Sequence, residues 1–465
     1  MFQHLPIIGQ SEEDTPEPLR DRPFNPWRIP TTDRAQDIVH EVIRQVENYE
    51  RHHKLRQRRR RQADQTSFEA AVSAIICDLM HHHLTGQGDG VHITRSHVHL
   101  GQGGRYSPPA YTKALPDILD RLEAPEMGFV EQSLGHEAYF GPAKRTTLRA
   151  GKRLIDRIVR HDITLEDLGL SKDQEVILLK RMKTDHWDEG GLIDYRDTPL
   201  TLLYREQITA INDWLEKAEL YFDEFILDAN QTVDVTDRRL CRIFTRERFD
   251  NGGRLFGGFW QRLRKKHRLE GIAIGTEDVV ELDFGQMAPR ILYGLAKVEP
   301  RFTDSYLVPG FEMHRQGIKK VMNAMLFTTK PLMRMPQGVR NEFSARHRVQ
   351  DVVTAIEAAH PAIKDMFFTD IGHELQFIES QILVDVLLKL RGEGIIALPI
   401  HDAVLVPASK VALAKDIMLS SFKHHTGIEG IVTEEGSLTN MNHDHSSSPT
   451  TSGIPTFPLC GTRKP

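Results

Sequence analysis

The sequence has little of what defines several broad classes of protein. Its 465 residues include only three cysteines, Cys77, Cys241 and Cys460, which are too few and too widely spaced for a disulfide framework or a zinc ribbon. No apolar run approaches the roughly 20 residues that a membrane-spanning helix needs. The N-terminal residues lack the charged leader and long apolar core of a signal peptide. We therefore expect a soluble cytoplasmic protein without a membrane partner.

Neither sign of charge dominates the chain. The 60 Lys and Arg residues nearly balance the 65 Asp and Glu residues, and the formal net charge of −5 excludes a histone-like, wholly basic protein. Binding to nucleic acid needs only a local basic groove, so this class stays open. The hydrophobic content of 39% permits a sizeable core, and the length suffices for about three domains of roughly 150 residues.

Composition and periodicity divide the chain into five segments. Residues 1–32 are rich in proline and charge and are predicted to form an N-terminal arm, and the polar residues 436–465 to form a disordered tail. Residues 33–140 are predicted to be a small basic region of helices and mixed structure. Residues 141–235 show apolar spacings of three and four, which predict helices over Leu148–Ile158, Leu165–Met182 and Leu200–Phe225. These helices suit either an arm gripping a duplex or a scaffold. Residues 236–435 carry the chemistry.

A basic stretch stands out near the N-terminus. A stripe of apolar residues predicts a helix from Thr32 to about Gln62, and its last part, Arg51–Arg61, reads R-H-H-K-L-R-Q-R-R-R-R. One interpretation is the solvated face of a helix. The other is a segment that contacts phosphates and makes a salt-sensitive contribution to affinity.

Two aspartates stand where apolar runs end. Val279–Arg290 reads V-V-E-L-D-F-G-Q-M-A-P-R, which predicts a strand ending near Asp283 and a helix from Met287. Ile395–Val406 reads I-I-A-L-P-I-H-D-A-V-L-V, which predicts a hairpin with Asp402 at its tip, 119 residues beyond the first aspartate. Two strand-end carboxylates that share divalent metal ions would indicate phosphoryl transfer.

Cations share one face of a predicted helix between these aspartates. In His314–Phe327, the residues Arg315, Lys319, Asn323 and Phe327 follow one another at intervals of four. Such a face could bind a triphosphate at one end and a nucleobase at the other. The alternative is an amphipathic helix with exposed basic residues.

A glycine-rich segment precedes the first aspartate, and a long helix precedes the second. Asn251–Gln261, N-G-G-R-L-F-G-G-F-W-Q, offers the charge of Arg254, aromatic stacking surface and the hydrogen-bonding side chain of Gln261 to a nucleic acid. Taken alone, the segment favours a glycine-rich hairpin that packs aromatic residues. A further helix is predicted over Glu374–Leu390, with Gln376 near its start.

In order and spacing, these segments resemble those of family A DNA polymerases and, more distantly, of the single-subunit RNA polymerases of phages and mitochondria. V-E-L-D-F-G-Q-M-A-P-R is similar to motif A, D-Y-S-Q-I-E-L-R, and P-I-H-D-A to motif C, V-H-D-E. Arg315-x3-Lys319-x7-Phe327 has the spacing of motif B, R-x3-K-x7-Y. Arg254 to Gln261 resembles the G-R-L segment and following Gln that face primer–template, and Gln376 corresponds to the Gln of M-Q-G. The resemblance covers about residues 236–435.

The resemblance implies an α+β fold of the right-hand polymerase type. Its palm would be an antiparallel sheet, its fingers and thumb would be helical, and a mainly helical N-terminal region would precede them. It also implies a template-directed nucleotidyltransferase, foremost a DNA-directed DNA polymerase. The cofactors would be two Mg²⁺ ions, with Mn²⁺ as a substitute, and the partners a nucleic-acid primer–template and nucleoside triphosphates. The alternatives are a small RNA polymerase or primase, and a non-catalytic nucleic-acid-binding replication protein.

Roles for individual residues follow from the resemblance. Asp283 and Asp402 would bind the metal ions, and Lys319 would also donate a proton to the leaving group. Glu281 would be an outer structural carboxylate or an extra metal ligand. The residues implied in nucleotide binding are Arg315, Lys319, Phe327, Gln286, Ala288 and Asn323. The residues implied in primer–template binding are Arg254, Gln261, Gln376 and His401.

The sequence departs from the family pattern at several points. Ala288 stands where the family has a Glu whose bulk screens the ribose 2′-position, Phe327 replaces a Tyr, Thr328 a Gly, and Ala403 the Glu of motif C. The intervals between the motifs are also short, which implies trimmed fingers. We therefore expect relaxed sugar selectivity and low processivity.

Overall fold

The structure, a computed structural model, describes residues 22–86, 90–136, 144–184, 188, 190–227 and 232–436. Helices and strands are mixed along the chain, and the largest sheet is antiparallel, so the fold is α+β. Within the described residues, no helix is both long and apolar enough to cross a membrane. Residues 437–465 of the predicted tail and the first 21 residues of the predicted arm lie outside the described residues.

The N-terminal part surrounds one buried helix. Its elements are β1 (Arg22–Pro23), β2 (Arg28–Pro30), α1 (Asp33–His52), α2 (Gln62–Thr85), β3 (Val91–Ile93), α3 (His97–Leu100), α4 (Leu115–Glu123), β4 (Val130–Ser133), β5 (Thr146–Ala150), α5 (Lys152–Arg160) and β6 (Leu168–Leu170). The strands form a sheet of order β1-β3-β5-β4 and a separate antiparallel pair, β2 and β6. The middle of α2 is apolar on nearly all sides and is buried between α1, α4, α5 and β5.

Three local predictions in this half of the chain are corrected. Residues 22–32 are not a free arm, because they form β1 and β2 and bury Phe24 completely. The first helix ends at His52, ten residues earlier than predicted, because like charges three and four residues apart disfavour a helix. Leu165–Met182 is not helical, because its apolar runs pair as strands β6 and β7 (Ile177–Leu179).

The rest of the chain shares a second, larger core. Its further elements are α6 (Pro199–Glu216), β8 (Leu220–Phe222), β9 (Cys241–Phe244), β10 (Gly252–Phe256), α7 (Lys265–Gly271), β11 (Ile272–Ile274), β12 (Glu277–Phe284), α8 (Met287–Leu295), α9 (Arg315–Leu326), α10 (Val349–Ala359), α11 (Gly372–Gly392), β13 (Leu398–Ile400), β14 (Ala403–Pro407), α12 (Val411–Thr426) and β15 (Val432–Gly436). This core runs from Val176 to Val432, whereas the N-terminal core runs from Phe24 to Leu168.

The six-stranded sheet has the order β13-β14-β12-β11-β8, and β15 also pairs with β12. All of these pairings are antiparallel, and β12 lies between β14 and β15 at its C-terminal end. The long helix α11 packs against α8, α12, α6 and β10 and buries its apolar residues in the same core. The smaller sheet, β10-β9-β7, therefore lies against the helix that also supports the larger one.

Candidate active site

The sheet brings the two predicted strand-end aspartates together. Asp283, the second-last residue of β12, pairs in register with Ala403, the first residue of β14. Asp402 precedes that residue in the tight connection between β13 and β14, where His401 adopts the left-handed conformation (φ 55°). The backbone N–H of Phe284 donates to the carbonyl of Asp402 at 3.3 Å. The strand end and the hairpin tip predicted from the sequence are thus confirmed as neighbours in one sheet.

The electrostatic environment of Asp283 reflects this proximity. Burial, and then the charges of Asp402 and Glu281, raise the pKa of Asp283 to about 7, while Lys265 and Lys319 act in the opposite direction. Repulsion between close carboxylates favours retention of a proton on one of them. The two aspartates therefore form a centre of negative charge without full compensation by the protein.

Glu281 differs from Asp283, although the two side chains lie on the same face of β12. Its buried carboxylate accepts an ion pair from Lys265 at 2.9 Å and from Arg268 at 3.2 Å. Both cations come from α7. Because two protein cations already satisfy it, Glu281 has the environment of a structural carboxylate.

Two cations of α9 lie close to one aromatic ring, that of Tyr306. The guanidinium carbon of Arg315 lies 5.3 Å, and the ammonium nitrogen of Lys319 5.9 Å, from the ring centre of Tyr306. Burial chiefly raises the pKa of Tyr306, and the negative charges of Asp304 and Asp402 raise it further. Arg315 also pairs with Asp304 at 2.5 Å, whereas Lys319 is exposed. Tyr306 therefore lies close to both cations of α9 and within the electrostatic influence of Asp402.

A second ion pair lies close enough to Asp402 for the charge of this aspartate to affect it. Arg254 in β10 donates two hydrogen bonds, of 2.7 and 3.0 Å, to the buried carboxylate of Glu379 in α11. Burial raises the pKa of Glu379 to about 7, Arg254 lowers it, and the charge of Asp402 raises it. Glu379 was not predicted from the sequence, although an acid on the buried face of an apolar helix is a signal of such a site.

Two of the residues expected to touch ligands hydrogen-bond to the backbone instead. The amide group of Gln261 accepts from the N–H of Gly257 at 3.0 Å and donates to the carbonyls of Pro399 at 2.9 Å and Leu255 at 3.2 Å. The side chain of Gln286 donates to Thr303 at 2.9 Å and accepts from the N–H of Ser305 at 2.8 Å. Each side chain thus connects a loop to the site in this structure.

The other residues predicted to bind ligands lie on α8, α9 and α11 or directly beyond them. Phe327, just beyond α9, packs edge-on against His373 at 5.1 Å and against Gly372, where a Cβ atom would lie 2.6 Å from the ring. Gln376 lies close enough to the same histidine to affect its pKa, which burial chiefly lowers. Asn323 is exposed on α9, and Ala288 is partly buried in the first turn of α8.

His401 lies beside the aspartate that it precedes. Its ring is 6.2 Å from that of Phe256, and its Nδ1 atom is buried without a hydrogen-bond partner among the described residues. Burial, and then the charge of Arg254, lower the pKa of His401. A neutral imidazole next to Asp402 can accept or donate a hydrogen bond to a bound ligand.

The donor chemistry of the aspartate pair fits a hard divalent cation. Asp283 and Asp402 offer carboxylate oxygens, and the raised pKa of Asp283 reports negative charge that a cation would neutralise. Nowhere in the described ranges do three or more His, Cys, Asp or Glu side chains form a metal-binding group. Mg²⁺ is commonly held by one or two carboxylates and completes its shell with water and substrate phosphates. The pair therefore fits Mg²⁺ as an ion that binds together with a triphosphate.

The raised pKa of Asp283 predicts a pH-dependent stability. An unfolded Asp titrates near 3.9, so between about pH 4 and 7 the folded protein holds a proton that the unfolded chain has lost. The stability contribution of this group is therefore fully present below pH 4 and is lost as pH rises towards 7. In Mg²⁺-free buffer, the Tm of the wild type should fall relative to that of Asp283→Asn between pH 4 and 8. Parallel Tm–pH profiles in thermal unfolding experiments would contradict this prediction.

Comparison with known proteins finds a structural similarity at low sequence identity. No protein-family model and no curated protein matches the sequence. Among solved structures, the chain is similar to the POL domain of Pol1 from M. smegmatis, described in complex with DNA primer-template and dNTP. The similarity has a TM-score of 0.28 and 10% sequence identity, and it covers 50% of this chain and 52% of that chain. The chain thus spans about half the length of the structure it matches, and the functional reading depends on the site itself.

Proposed function

We propose that this protein is a template-directed nucleotidyltransferase that extends a nucleic-acid 3′ end with nucleoside triphosphates. Its foremost activity would be that of a DNA-directed DNA polymerase of the family A type with relaxed sugar selectivity. The observation that carries this proposal is the meeting of Asp283 and Asp402 at adjacent strand ends, with Lys319 close enough to affect the charge of Asp283. The α+β fold and the antiparallel sheet agree with a palm, and α9 would belong to the fingers.

In the proposed reaction, the 3′-hydroxyl of the primer loses its proton to solvent water, and its oxygen forms a bond to the α-phosphorus of the triphosphate. The bond from that phosphorus to the α,β-bridging oxygen breaks, which releases pyrophosphate. Asp283 and Asp402 would hold two Mg²⁺ ions. Once bound, these ions would lower the pKa of the attacking hydroxyl and neutralise charge on the leaving phosphate. Arg315 would bind the phosphates through its guanidinium, and Lys319 would donate a proton to the departing pyrophosphate.

The ion pair between Arg254 and Glu379 would support the primer end of the site. Glu379 accepts from two nitrogens of the guanidinium and so fixes its plane next to Asp402. Arg254 would then present its remaining N–H groups to the primer–template, with His401 as a neighbour. The side chain of Arg254 retains 21% exposure, which leaves it accessible to a ligand.

An RNA polymerase or primase is the second candidate, and Ala288 favours it. This small residue lies in the first turn of α8, five positions after Asp283, where the resemblance expects a bulky Glu. A non-catalytic nucleic-acid-binding replication protein is the third candidate. The presence of two aspartates and two cations in one region argues against this third candidate.

We expect Ala288→Glu to restore discrimination against ribonucleotides. A steric or packing difference of about 1–3 kcal/mol corresponds to roughly 10–200-fold in kcat/KM, so the ratio for dNTP over rNTP should rise within this range. Steady-state incorporation of matched dATP and ATP measures the ratio, and Ala288→Gly is the control that should leave it near the wild-type value. An unchanged dNTP/rNTP ratio in the Glu variant would refute the proposal that the side chain at position 288 selects the sugar.

Extension of a labelled primer annealed to a template tests the proposed function. The wild-type protein would be incubated with this substrate, Mg²⁺ and either dNTPs or rNTPs. The product length would be measured on a sequencing gel. Extension is expected, and the preferred sugar distinguishes the first candidate from the second. No extension with any nucleotide on DNA or RNA templates would favour the non-catalytic candidate.

A further inference from the structure

The loop between α1 and α2 is the most basic part of the described chain. Residues 51–61, which we call the basic loop, comprise the last two residues of α1 and the connection to α2. They contain six arginines and one lysine and no acid. They contribute +7 to a chain with a formal net charge of −5, so the remainder carries −12. All eleven residues except Arg60 are exposed. The positive charge is thus concentrated in one short surface segment of an otherwise acidic protein.

A buried carboxylate anchors this loop. Glu50, which is 2% exposed, accepts hydrogen bonds of 2.6 and 2.7 Å from Arg60 and also pairs with Arg121 of α4. The guanidinium of Arg60 lies 3.6 Å from the ring centre of Phe68, and the N–H of Leu55 donates to the carbonyl of Glu50 at 3.0 Å. Both ends of the loop are therefore tied to the helices that flank it.

Arg56 also pairs with Glu50, at 3.7 Å, and Arg51 donates a hydrogen bond to Asn48, whereas the remaining four cations of the loop are not used in this way. Lys54, Arg58, Arg59 and Arg61 form no hydrogen bond or ion pair through their side chains with any described residue. The neighbouring acids are otherwise engaged, since Glu47 and Glu69 accept from Gln65 at 2.9 and 2.7 Å. Asp64, one turn into α2, is the remaining exposed acid close by. Held together without counter-charges, these four cations repel one another, and a polyanion would relieve that repulsion.

From these contacts we propose that the basic loop is a second nucleic-acid-binding site, which grips the phosphate backbone without regard to base sequence. Arginine presents a planar fork that matches phosphate oxygens, and six of the seven cations are arginines. The loop carries only one apolar side chain, Leu55, whereas loops and helices that enter a membrane surface carry several. The ligand is therefore the backbone of DNA or RNA and not a lipid surface.

The position of the loop separates it from the catalytic part of the chain. At the far end of α2, His81 contacts Asp234 at 3.0 Å, which links the N-terminal part to the residues that precede β9. The axis of α2 rises about 1.5 Å per residue, so the start of the helix at Gln62 lies about 28 Å from His81. A nucleic acid bound at the basic loop therefore meets the protein well away from this junction, and its binding does not depend on catalysis.

The experiment measures duplex binding by the full chain in the absence of metal and nucleotide. Fluorescence anisotropy with a labelled 30-base-pair DNA would compare the wild type with the combined variant Arg58→Gln, Arg59→Gln and Arg61→Gln between 50 and 300 mM salt. Each lost phosphate contact reduces the slope of log K against log salt by about 0.9, so the slope should become shallower by about 2.7. The Kd near 150 mM salt should rise by about tenfold or more.

Charge-preserving substitutions provide the matched control. The combined variant Arg58→Lys, Arg59→Lys and Arg61→Lys should retain most of the salt slope, and neither variant should change the Tm, because all three side chains are exposed. An unchanged Kd and slope in the Gln variant would overturn the proposal, as would equal losses in both variants. Loss of binding to phosphatidylserine vesicles, with DNA binding intact, would overturn it in favour of a lipid surface. Because no nucleotide is added, failure of the polymerase assay would leave this result unaffected.

Discussion

Replacement of Asp283 by Asn, or of Asp402 by Asn, is expected to lower the rate of nucleotide incorporation by about 1000-fold or more. Asn preserves the shape of the side chain but removes the charge that would hold Mg²⁺. A metal ion supplies several kcal/mol to the transition state of phosphoryl transfer, and about 4 kcal/mol corresponds to roughly 1000-fold. The measurement is single-turnover extension of a primer by one nucleotide at saturating Mg²⁺.

Asp278→Asn is the matched control for these two variants. Asp278 lies on the same strand as Asp283, is exposed, and undergoes the same change of charge, so its variant should retain nearly full activity. Because Asn relieves the repulsion between the aspartates, neither active-site variant should lower the Tm in Mg²⁺-free buffer at pH 8. Full activity in either active-site variant would contradict the assigned roles.

Trp260→Ala should produce the largest loss of stability. Trp260 is completely buried, and its indole N–H donates to the carbonyl of Pro399 at 2.8 Å, directly before the hairpin tip that bears Asp402. Truncation of a buried Trp to Ala costs about 3–5 kcal/mol, because the cavity persists and the hydrogen bond is lost. The free energy of unfolding is measured by urea denaturation followed by circular dichroism.

Two further variants separate the causes of this loss. Trp260→Phe keeps much of the packing, and Pro399 keeps the hydrogen bond from Gln261, so it should cost clearly less than the Ala variant. Phe225→Ala removes a fully exposed aromatic ring and should change stability by less than about 0.5 kcal/mol. A loss below about 1 kcal/mol in Trp260→Ala would show that this residue does not hold the hairpin.

The sequence predicted the local parts of the site because short-range patterns determine them. Alternation followed by a helical period placed Asp283 at the end of β12, and two apolar runs around His401 and Asp402 predicted the β13–β14 hairpin; the structure confirms both. The helix that carries Arg315 and Lys319 is confirmed as well. These elements depend on periodicity and on turn residues that lie close together in the chain.

The sequence did not predict contacts that arise only when distant segments pack together. Glu379 reaches Arg254 across 125 residues, and no local pattern relates the two positions. Gln261 was expected to meet nucleic acid, yet in this structure its amide group donates to the carbonyl of Pro399 within β13. Propensity also failed at β7, where a short apolar run became a buried strand because β9 was available to pair with it.

The most direct test of the central claim is whether the incorporated nucleotide follows the template. Four primer–templates that differ only in the first templating base would each be incubated with wild-type protein, Mg²⁺ and one nucleotide at a time. The proposed site predicts one-base extension chiefly by the complementary nucleotide in each case, lost in Asp283→Asn. Absence of extension, or addition that ignores the templating base, would contradict a template-directed nucleotidyltransferase.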